Sequence, residues 1–340
     1  MRVLPFAALL LAGCATTSAP LATEAPMVAA TAETDPVDTA ADAADDPAIW
    51  RNPADPSKSL VIGTDKKAGI HVYSLAGKRL SFTPAERLNN VDLRDTGARV
   101  IAAASDRADV ATAHVSLFTL DTAAAKLVPL GRFPVGAGEA YGMCLWTRAR
   151  DHAMFGFVVL KDGRIDQVAI DLSGATPKVT TVRSMKLATQ SEGCVVDDRT
   201  GQLYVAEEDV GLWRFDADPS AATTATAIAR VDGKTLVADA EGLALAPSGR
   251  TGGYLVASSQ GDNAYTLYRL PGVTYAGRFR IGGGAIDGTS DTDGIDLMLG
   301  DFGPAYPRGL LVAQDGDNAP ATQNFKYVSW DAVRRALKLR

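Results

Sequence analysis

Histidine and cysteine are scarce in this sequence, with 3 of each among 340 residues. His71, His114 and His152 lie on predicted strands or in a turn, without the neighbouring residues that a catalytic histidine needs. The internal cysteines, Cys144 and Cys194, lie in apolar strand-like stretches, where we expect buried free thiols. Nucleophilic catalysis by histidine or cysteine is therefore not indicated, and a metal site would have to use oxygen ligands.

Helical periodicity and excess positive charge are also lacking. Apolar residues do not recur at helical spacing before Asp331, so the chain is predicted to be all-β. Lys and Arg total 34 against 40 Asp and Glu, a formal net charge of −6. This balance argues against a nucleic-acid partner, because phosphate backbones recruit an excess of Lys and Arg.

The first residues, MRVLPFAALLLAGC, are typical of an export signal and too short to span a bilayer. The run from Leu11 to Cys14 resembles a lipobox, in which the cysteine becomes the lipidated first residue. We therefore expect residues 1–14 to be a lipoprotein signal, residues 15–32 a flexible tether and residues 33–340 the folded domain. The expected location is the outer membrane, with the anchor as the only membrane contact; a plain secretory signal is the alternative.

A three-part pattern recurs six times in the domain. An acid or amide beside a small residue leads into a strand; a second apolar strand and a third, alternating strand follow. The second strands are LVIGTDK (60–66), RVIAAASDR (99–107), AMFGFVVLKD (153–162), LYVAEED (203–209), YLVASSQGD (254–262) and LLVAQDGD (310–317). The spacing of about 45 to 55 residues matches four-stranded propeller blades. We predict a six-bladed β-propeller, its last blade completed by residues 27–31.

The repeat also predicts a site. In a propeller blade, the residues that open the innermost strand and those that follow the second strand lie on the same face. Two polar groups should therefore meet at one end of the central channel. The first contains Asp45, Asp46, Asp92, Glu139, Glu192, Asp239, Glu241 and Asp293, and the second contains Lys66, Lys67, Asp106, Arg107, Lys161, Asp162, Glu207, Glu208, Asp209 and Asp262.

So many carboxylates in one place repel one another unless they are protonated or bind cations. Two like charges 4 Å apart cost roughly 4 kcal/mol at an effective dielectric constant of 20. Oxygen ligands without histidine or cysteine select a hard ion, and flexible sites of high coordination number favour Ca²⁺. Lys66, Arg107 and Lys161 come from three blades into the same acidic region, where they could pair with the acids or bind an anionic ligand.

Several long motifs resemble those of the bacterial β-propeller phytases. They are DAADDPAIW (42–50), GTDKKAGIHVYSLAGK (63–78), LNNVDLR (88–94), QSEGCVVDD (190–198), LYVAEEDVGLWRF (203–215), ASSQGDNAY (257–265) and DGTSDTDGID (287–296). The resemblance runs from about Glu33 to Trp330. It implies a monomeric 3-phytase that removes phosphate from myo-inositol hexakisphosphate, presented as its calcium complex, and that holds several structural and catalytic Ca²⁺ ions.

The resemblance also implies roles for individual residues. The calcium ligands or water-orienting acids would be Asp45, Asp46, Glu192, Glu208, Asp239, Glu241, Asp287 and Asp293. The catalytic and phosphate-contacting residues would be Lys66, Arg107, Tyr141, Lys161, Glu208 and Asp293. Glu33 and Asp42 would be further acids near the site.

Two other functions fit a calcium-containing propeller. A propeller lactonase or esterase would need one central Ca²⁺ in an acid and amide cluster, without the Lys and Arg residues. A non-enzymatic propeller would use its acidic ring only for stability and bind sugars or proteins at its surface. Phosphate release from calcium phytate distinguishes both from a phosphatase.

Overall fold

Strands dominate the computed structural model, which describes residues 24–339. They form six separate sheets, five of four strands and one of five, and each sheet is one blade. The innermost strands of successive blades contact one another in a closed cycle. The predicted six-bladed β-propeller is confirmed. The expected signal, the lipobox with Cys14 and residues 15–23 of the expected tether lie outside the described residues.

Two short strands precede the first complete blade, and three blades follow in chain order. The early strands are β1 (Met27–Val28) and β2 (Ala32–Glu33). Blade 1 contains β3 (Ala44–Trp50), β4 (Leu60–Asp65), β5 (Gly69–Ser74) and β6 (Arg79–Pro84). Blade 2 contains β7 (Leu88–Asp95), β8 (Val100–Asp106), β9 (Thr112–Asp121) and β10 (Lys126–Ala137). Blade 3 contains β11 (Ala140–Thr147), β12 (Met154–Leu160), β13 (Arg164–Asp171) and β14 (Lys178–Lys186).

The second half of the chain repeats this plan. Blade 4 contains β15 (Ser191–Asp197), β16 (Gln202–Glu207), β17 (Gly211–Asp216) and β18 (Thr226–Arg230). Blade 5 contains β19 (Ala240–Ser248), β20 (Gly252–Ser259), β21 (Ala264–Leu270) and β22 (Thr274–Ile281). Blade 6 contributes β23 (Ile295–Leu299), β24 (Gly309–Asp315) and β25 (Asn324–Ser329).

The N-terminal strands complete the ring, although not where the sequence predicted. Blade 6 has three strands of its own, and β2 pairs antiparallel with β25 as its fourth. The prediction that residues 27–31 complete this blade was wrong for Met27 and Val28, because β1 instead pairs in parallel with β22 on blade 5. Thr31 does join blade 6, donating its N–H to the carbonyl of Tyr327 at 2.7 Å. Each N-terminal strand covers an outer sheet edge that would otherwise expose unpaired backbone groups. Residues 27–28 and Ala32 of the expected tether therefore belong to the propeller.

The hydrophobic core is divided among the six interfaces between blades. One buried apolar cluster lies at each interface. Ile62 of blade 1, for example, belongs to the same cluster as Val91 of blade 2. The second strand of a blade packs on both faces, and β4, β12 and β24 are buried throughout. Burial on both faces explains why these strands have continuous apolar runs instead of alternating patterns.

Helices are few in residues 24–339. Two 3₁₀ turns cover Pro56–Lys58 and Gln260–Asp262, and one α-helix, α1, covers Trp330–Ala336. This helix contacts β1, β24 and β25, so it closes the outer side of the last blades. No helix among the described residues is long and apolar enough to cross a membrane.

A disulfide joins blades 3 and 4, and this corrects the prediction of free thiols. Cys144 on β11 and Cys194 on β15 have Cα atoms 5.8 Å apart, and their sulfur atoms are bonded. The two strands belong to different sheets, so no ladder of backbone hydrogen bonds joins them. The sequence did not reveal the bond because the cysteines are 50 residues apart and become neighbours only when the blades close into a ring.

We expect this disulfide to stabilise the native protein by about 2–4 kcal/mol, because it restricts the unfolded chain. Urea unfolding should show a lower free energy of unfolding for the Cys144→Ala/Cys194→Ala variant than for the oxidised protein. Dithiothreitol should lower the value for the native sequence and leave the double variant unchanged. Equal values for the oxidised protein and the variant would contradict the expectation.

His71 should make the fold sensitive to acid. Its ring is fully buried beside Phe82, at 4.7 Å between centroids, and neither ring nitrogen has a hydrogen-bond partner. Burial lowers the pKa of His71 from 6.5 to about 4. Between these values the unfolded chain binds a proton that the folded chain does not, so stability falls as the pH falls through this window.

Replacing His71 with Phe should remove this contribution. Between pH 7 and pH 4 the His71→Phe variant should lose about 1–3 kcal/mol less free energy of unfolding than the native sequence. Urea unfolding at several pH values measures the difference. The exposed His152 supplies the control, since His152→Asn should leave the pH dependence unchanged. Parallel curves for the native and His71→Phe proteins would show that His71 does not contribute.

Candidate metal and phosphate site

The backbone brings the ends of the first two strands of each blade together on one face. Lys66, Arg107, Lys161 and Glu208 each directly follow the second strand of a blade. Each donates its backbone N–H to the carbonyl of a residue just before the first strand of the same blade. The acceptors are Ala43, Arg87, Glu139 and Gln190, respectively. This repeated hydrogen bond confirms the topological argument for a common face.

Bulges at the start of the innermost strands direct the site residues into the channel mouth. The pairing register shifts between Ala44 and Pro47 in β3, around Tyr141 in β11, and around Glu192 and Glu241 in β15 and β19. A β-bulge leaves residues unpaired and re-aims their side chains. At the point where the blades converge, the side chains of these acids therefore do not follow the regular alternation between the two faces of a strand.

Glycines after these acids allow the blades to approach closely. A Cβ atom on Gly193 would lie 2.3 Å from the carbonyl oxygen of Glu241, and one on Gly242 would lie 2.6 Å from that of Asp293. Any side chain would push the neighbouring blade away. The acid–glycine pairs at Glu192–Gly193, Glu241–Gly242 and Asp293–Gly294 thus supply both a carboxylate and the space for the next one.

Three buried glutamates form the first part of the site, which we call the glutamate group: Glu192, Glu208 and Glu241. Each offers a carboxylate oxygen within 4.8 Å of the others. Burial raises the pKa of all three, and neighbouring carboxylates raise it further. Glu208 Oε1 and Glu241 Oε2 are buried without a hydrogen-bond partner. Such orphaned oxygens in an all-oxygen donor set fit a hard metal ion.

The second part is an aspartate group: Asp42, Asp45 and Asp293, held together by Lys66. The ammonium of Lys66 lies 2.7 Å from Asp42 Oδ1, 2.9 Å from Asp45 Oδ1 and 3.0 Å from Asp293 Oδ2. Burial, followed by the charge of Asp45, raises the pKa of Asp293 to about 7. Asp45 Oδ2 is buried without a partner.

Amide side chains, for which no role was predicted from the sequence, orient the carboxylates. Each donates a hydrogen bond from its Nδ2 or Nε2 atom to one acid. The pairs are Asn89 with Glu192 at 2.9 Å, Gln190 with Glu208 at 2.7 Å and Gln260 with Asp293 at 2.8 Å. These amides stand within the LNNVDLR, QSEGCVVDD and ASSQGDNAY motifs, but neutral side chains carry no signal of charge that distinguishes them in a sequence.

Tyr141 lies between two cations at the rim of the mouth. The guanidinium of Arg107 lies 5.4 Å from the centre of the tyrosine ring, and Lys161 Nζ lies 5.0 Å from it. Glu139 lies 3.6 Å from Arg107. Burial, followed by the charge of Glu192, raises the pKa of Tyr141, so its hydroxyl stays protonated and can donate a hydrogen bond.

Two adjoining cavities open at this mouth. The larger, of about 790 Å³, includes Lys66, Tyr141, Glu208, Asp239 and Asp293 in its lining. The smaller, of about 330 Å³, is lined by Asp42, Lys66, Lys67, Arg87 and Arg107. An acidic cavity therefore adjoins a basic one, and this arrangement suits a metal ion beside an anion.

Other acids predicted for the mouth have partners outside the glutamate and aspartate groups. Asp46 accepts a hydrogen bond from the backbone N–H of Val91 at 2.9 Å and joins blade 1 to blade 2. Asp92 accepts one from Leu145 N at 2.8 Å and lines a different cavity from the glutamate group. Asp106 pairs with Arg132 and Asp262 with Arg278. The sequence could not separate these acids because neighbouring side chains on a strand point to opposite sides.

Asp287 belongs to a second cluster, around the fully buried Lys326. The Lys326 ammonium pairs with Asp287, with Glu33 at 2.5 Å and with Asp315 at 3.2 Å. Two of the four acids in DGTSDTDGID therefore separate: Asp287 belongs to this cluster and Asp293 to the channel mouth. Lys326 lies on β25, and the sequence pattern alone gave no reason to pair it with acids so distant in the chain.

Comparison with known proteins shows the family of the chain. A family model described as Phytase matches residues 2–339. The chain belongs to the phytase family. It is 42% identical over 329 residues to the 3-phytase of Bacillus subtilis (strain 168), covering 91% of this chain and 85% of that protein. The expected family and enzyme class are confirmed.

Similarity to solved structures concerns only the fold of this phytase-family chain. A chain in the crystal structure of the mitotic checkpoint complex superimposes with a TM-score of 0.50 and 13% identity. The match covers 98% of this chain and 86% of the other. At this identity, the comparison shows a shared architecture and carries no argument about activity.

The glutamate group should destabilise the protein until a cation binds. When folding raises the pKa of a carboxyl group, the free energy of unfolding of the protein falls as the pH rises above the pKa of that group in the unfolded chain. Glu241→Gln should therefore increase the free energy of unfolding in chelator at pH 7.5 by about 1–3 kcal/mol. The same variant should show a smaller rise in melting temperature when calcium chloride is added, because one ligand is lost.

Glu207 provides a matched control. It is buried next to Glu208 in the chain, but its carboxylate accepts hydrogen bonds from Thr189 and from Trp213 Nε1. Glu207→Gln should lower stability with and without calcium. If Glu241→Gln destabilises the protein equally in both conditions, the glutamate group does not hold a metal ion.

Proposed function

We propose that the protein is a calcium-dependent phosphomonoesterase that hydrolyses myo-inositol hexakisphosphate, or phytate. The principal observation is that a buried, partly unpaired carboxylate cluster shares one mouth with Arg107, Lys161 and Tyr141 in a chain of the phytase family. Phytate carries dense negative charge, which an acidic mouth repels unless divalent cations come between them.

Calcium is the proposed ion, and the glutamate group is the proposed principal site. Glu192, Glu208 and Glu241 offer only oxygen ligands, and two of their oxygens lack partners. Asp45, with its unpartnered Oδ2, and Asp293 would supply ligands for a neighbouring ion. Asp239, whose pKa is raised chiefly by burial, lines the same cavity and would complete the coordination. Flexible sets of carboxylates accommodate the high coordination number of Ca²⁺.

The substrate phosphate would be bound by the side chains around Tyr141. Arg107 can direct two N–H groups at phosphate oxygens, and Lys161 can add a mobile positive charge. Tyr141 lies between them and keeps its proton, so its hydroxyl can donate a further hydrogen bond. These residues would stabilise the negative charge on the phosphoryl oxygens during transfer.

Glu208 is the best-placed residue to orient the attacking water. Gln190 holds its Oε2 at 2.7 Å, while Oε1 has no partner, so its two lone pairs can serve one calcium ion and accept one hydrogen bond from water. Burial raises the pKa of Glu208, which favours acceptance of a proton. Both oxygens of Asp293 are already engaged, by Lys66 and Gln260, so Asp293 is less suited to this role. Bound calcium would withdraw charge from the phosphate and lower the pKa of a bound water.

The test is release of inorganic phosphate from calcium phytate by the purified protein. Activity should be lost in chelator and restored by added calcium chloride. Lys161→Ala should reduce kcat/KM by about 10²-fold, because one charge at the developing oxyanion is lost. Lys161 is exposed, so its replacement should leave the melting temperature unchanged.

Lys178 is the matched control, an exposed lysine on the outer strand of the same blade. Lys178→Ala should retain full activity. Hydrolysis of lactones or esters without release of phosphate would overturn the proposal and favour the propeller lactonase. Full activity of Lys161→Ala would show that the proposed phosphate-binding residues are wrong. It would not contradict phytate as the substrate.

A further inference from the structure

The two carboxylate groups at the channel mouth differ in how their charge is balanced. In the glutamate group, the hydrogen bonds to Glu192 and Glu208 come from the neutral amides of Asn89 and Gln190. In the aspartate group, a lysine of the chain itself supplies the balancing charge. The aspartates are therefore already neutralised in part before any metal ion binds.

The ammonium of Lys66 is already surrounded by three carboxylates. An ammonium group has three N–H donors, and Lys66 lies within 3.0 Å of Asp42, Asp45 and Asp293. Its side chain is only 9% exposed. While these three contacts persist, Lys66 cannot also bind a phosphate oxygen.

Lys66 nevertheless lines both cavities of the mouth. On one side are the aspartates and the larger acidic cavity. On the other is the smaller cavity, to which Lys67, Arg87 and Arg107 bring positive charge. If Lys66 broke its ion pair with one of the aspartates, its ammonium could reach an anion in the smaller cavity. A long, flexible lysine side chain can make this change without backbone movement.

We propose that Lys66 is an internal competitor for the cation site, and that a divalent cation at Asp45 and Asp293 releases its ammonium to bind phosphate in the adjoining cavity. The inference rests on the proposed function, since it assumes that the mouth binds calcium and phosphate. It adds that the side chain of Lys66 couples calcium binding to phosphate binding.

The coupling follows from charge. A metal ion held by both oxygens of Asp45 would take Oδ1, which Lys66 contacts, as well as the unpartnered Oδ2. The doubly charged ion attracts carboxylates more strongly than an ammonium does, so it displaces Lys66. The released lysine would gain a phosphate as its new partner. By linkage, calcium then strengthens phosphate binding, and phosphate strengthens calcium binding by the same factor.

Chemical labelling of lysines in the native protein tests the release directly. Sulfo-N-hydroxysuccinimide acetate is applied in chelator, in calcium chloride, and in calcium chloride with inorganic phosphate, and acetylation is quantified by peptide mass spectrometry. Lys66 should be nearly unreactive in chelator and react several-fold faster with calcium, because a released amine loses its proton more readily. Inorganic phosphate should restore protection.

Lys58 and Lys78 are internal controls, because both are exposed and pair with acids away from the mouth. Their reactivity should not change with calcium. If calcium raises the melting temperature but leaves Lys66 unreactive, the metal ion binds but the proposed release of Lys66 is wrong. If calcium changes neither melting nor labelling, the metal site of the proposed function fails as well.

A second measurement tests the coupling. Isothermal titration with inorganic phosphate, with and without calcium, should show several-fold tighter binding in calcium for the native sequence. Lys66→Met should lose most of this difference, while Lys161→Met should bind phosphate more weakly and keep the calcium dependence. Equal calcium dependence in the Lys66→Met variant and the native protein would overturn the coupling role.

Discussion

Repulsion between buried carboxylates is the constraint on which the channel mouth depends. Glu192, Glu208 and Glu241 come within 4.8 Å of one another, and all three side chains are buried. Such a cluster costs folding free energy unless a cation, a proton or a neighbouring donor balances it. The protein combines these means, with amides on individual acids, raised pKa values and an internal lysine. A bound metal ion would relieve the repulsion that remains between the carboxylates, and this relief would favour its binding.

The propeller can carry this cost because its stability arises elsewhere. The apolar clusters lie between the blades, and each involves only neighbouring blades. The disulfide between Cys144 and Cys194 and the pairing of β2 with β25 add two further links between distant parts of the chain. The ring is therefore closed by apolar burial and covalent and backbone links, not by the carboxylates of the mouth.

The acid–glycine pairs connect fold and chemistry. Gly193 and Gly242 lie where the backbone of the next blade comes too close for any side chain. The close approach of successive blades at these glycines also brings the acid of one blade beside the acid of the next. Blade packing and the spacing of the carboxylates therefore have the same cause. Arg107 and Lys161, which follow second strands, then face these acids because backbone hydrogen bonds place them on the same side of the ring.

Much of this arrangement was determined by the sequence. The sixfold recurrence of strand patterns, which reflects burial of each blade between two others, established the propeller and the face of the disc that carries the polar residues. The long motifs established the family. Glu192, Glu241 and Lys161 could be placed because each has a fixed position within its blade.

Only the tertiary structure decided which polar groups touch. Asp45 and Asp46 are adjacent in sequence, yet one pairs with Lys66 and the other with the backbone of Val91. Asp287 and Asp293 belong to one motif, yet they pair with Lys326 and Lys66, respectively. Cys144 and Cys194 meet because two blades converge. Local pattern specifies strands, whereas ring closure and side-chain direction at the bulges specify contacts between residues far apart in the chain.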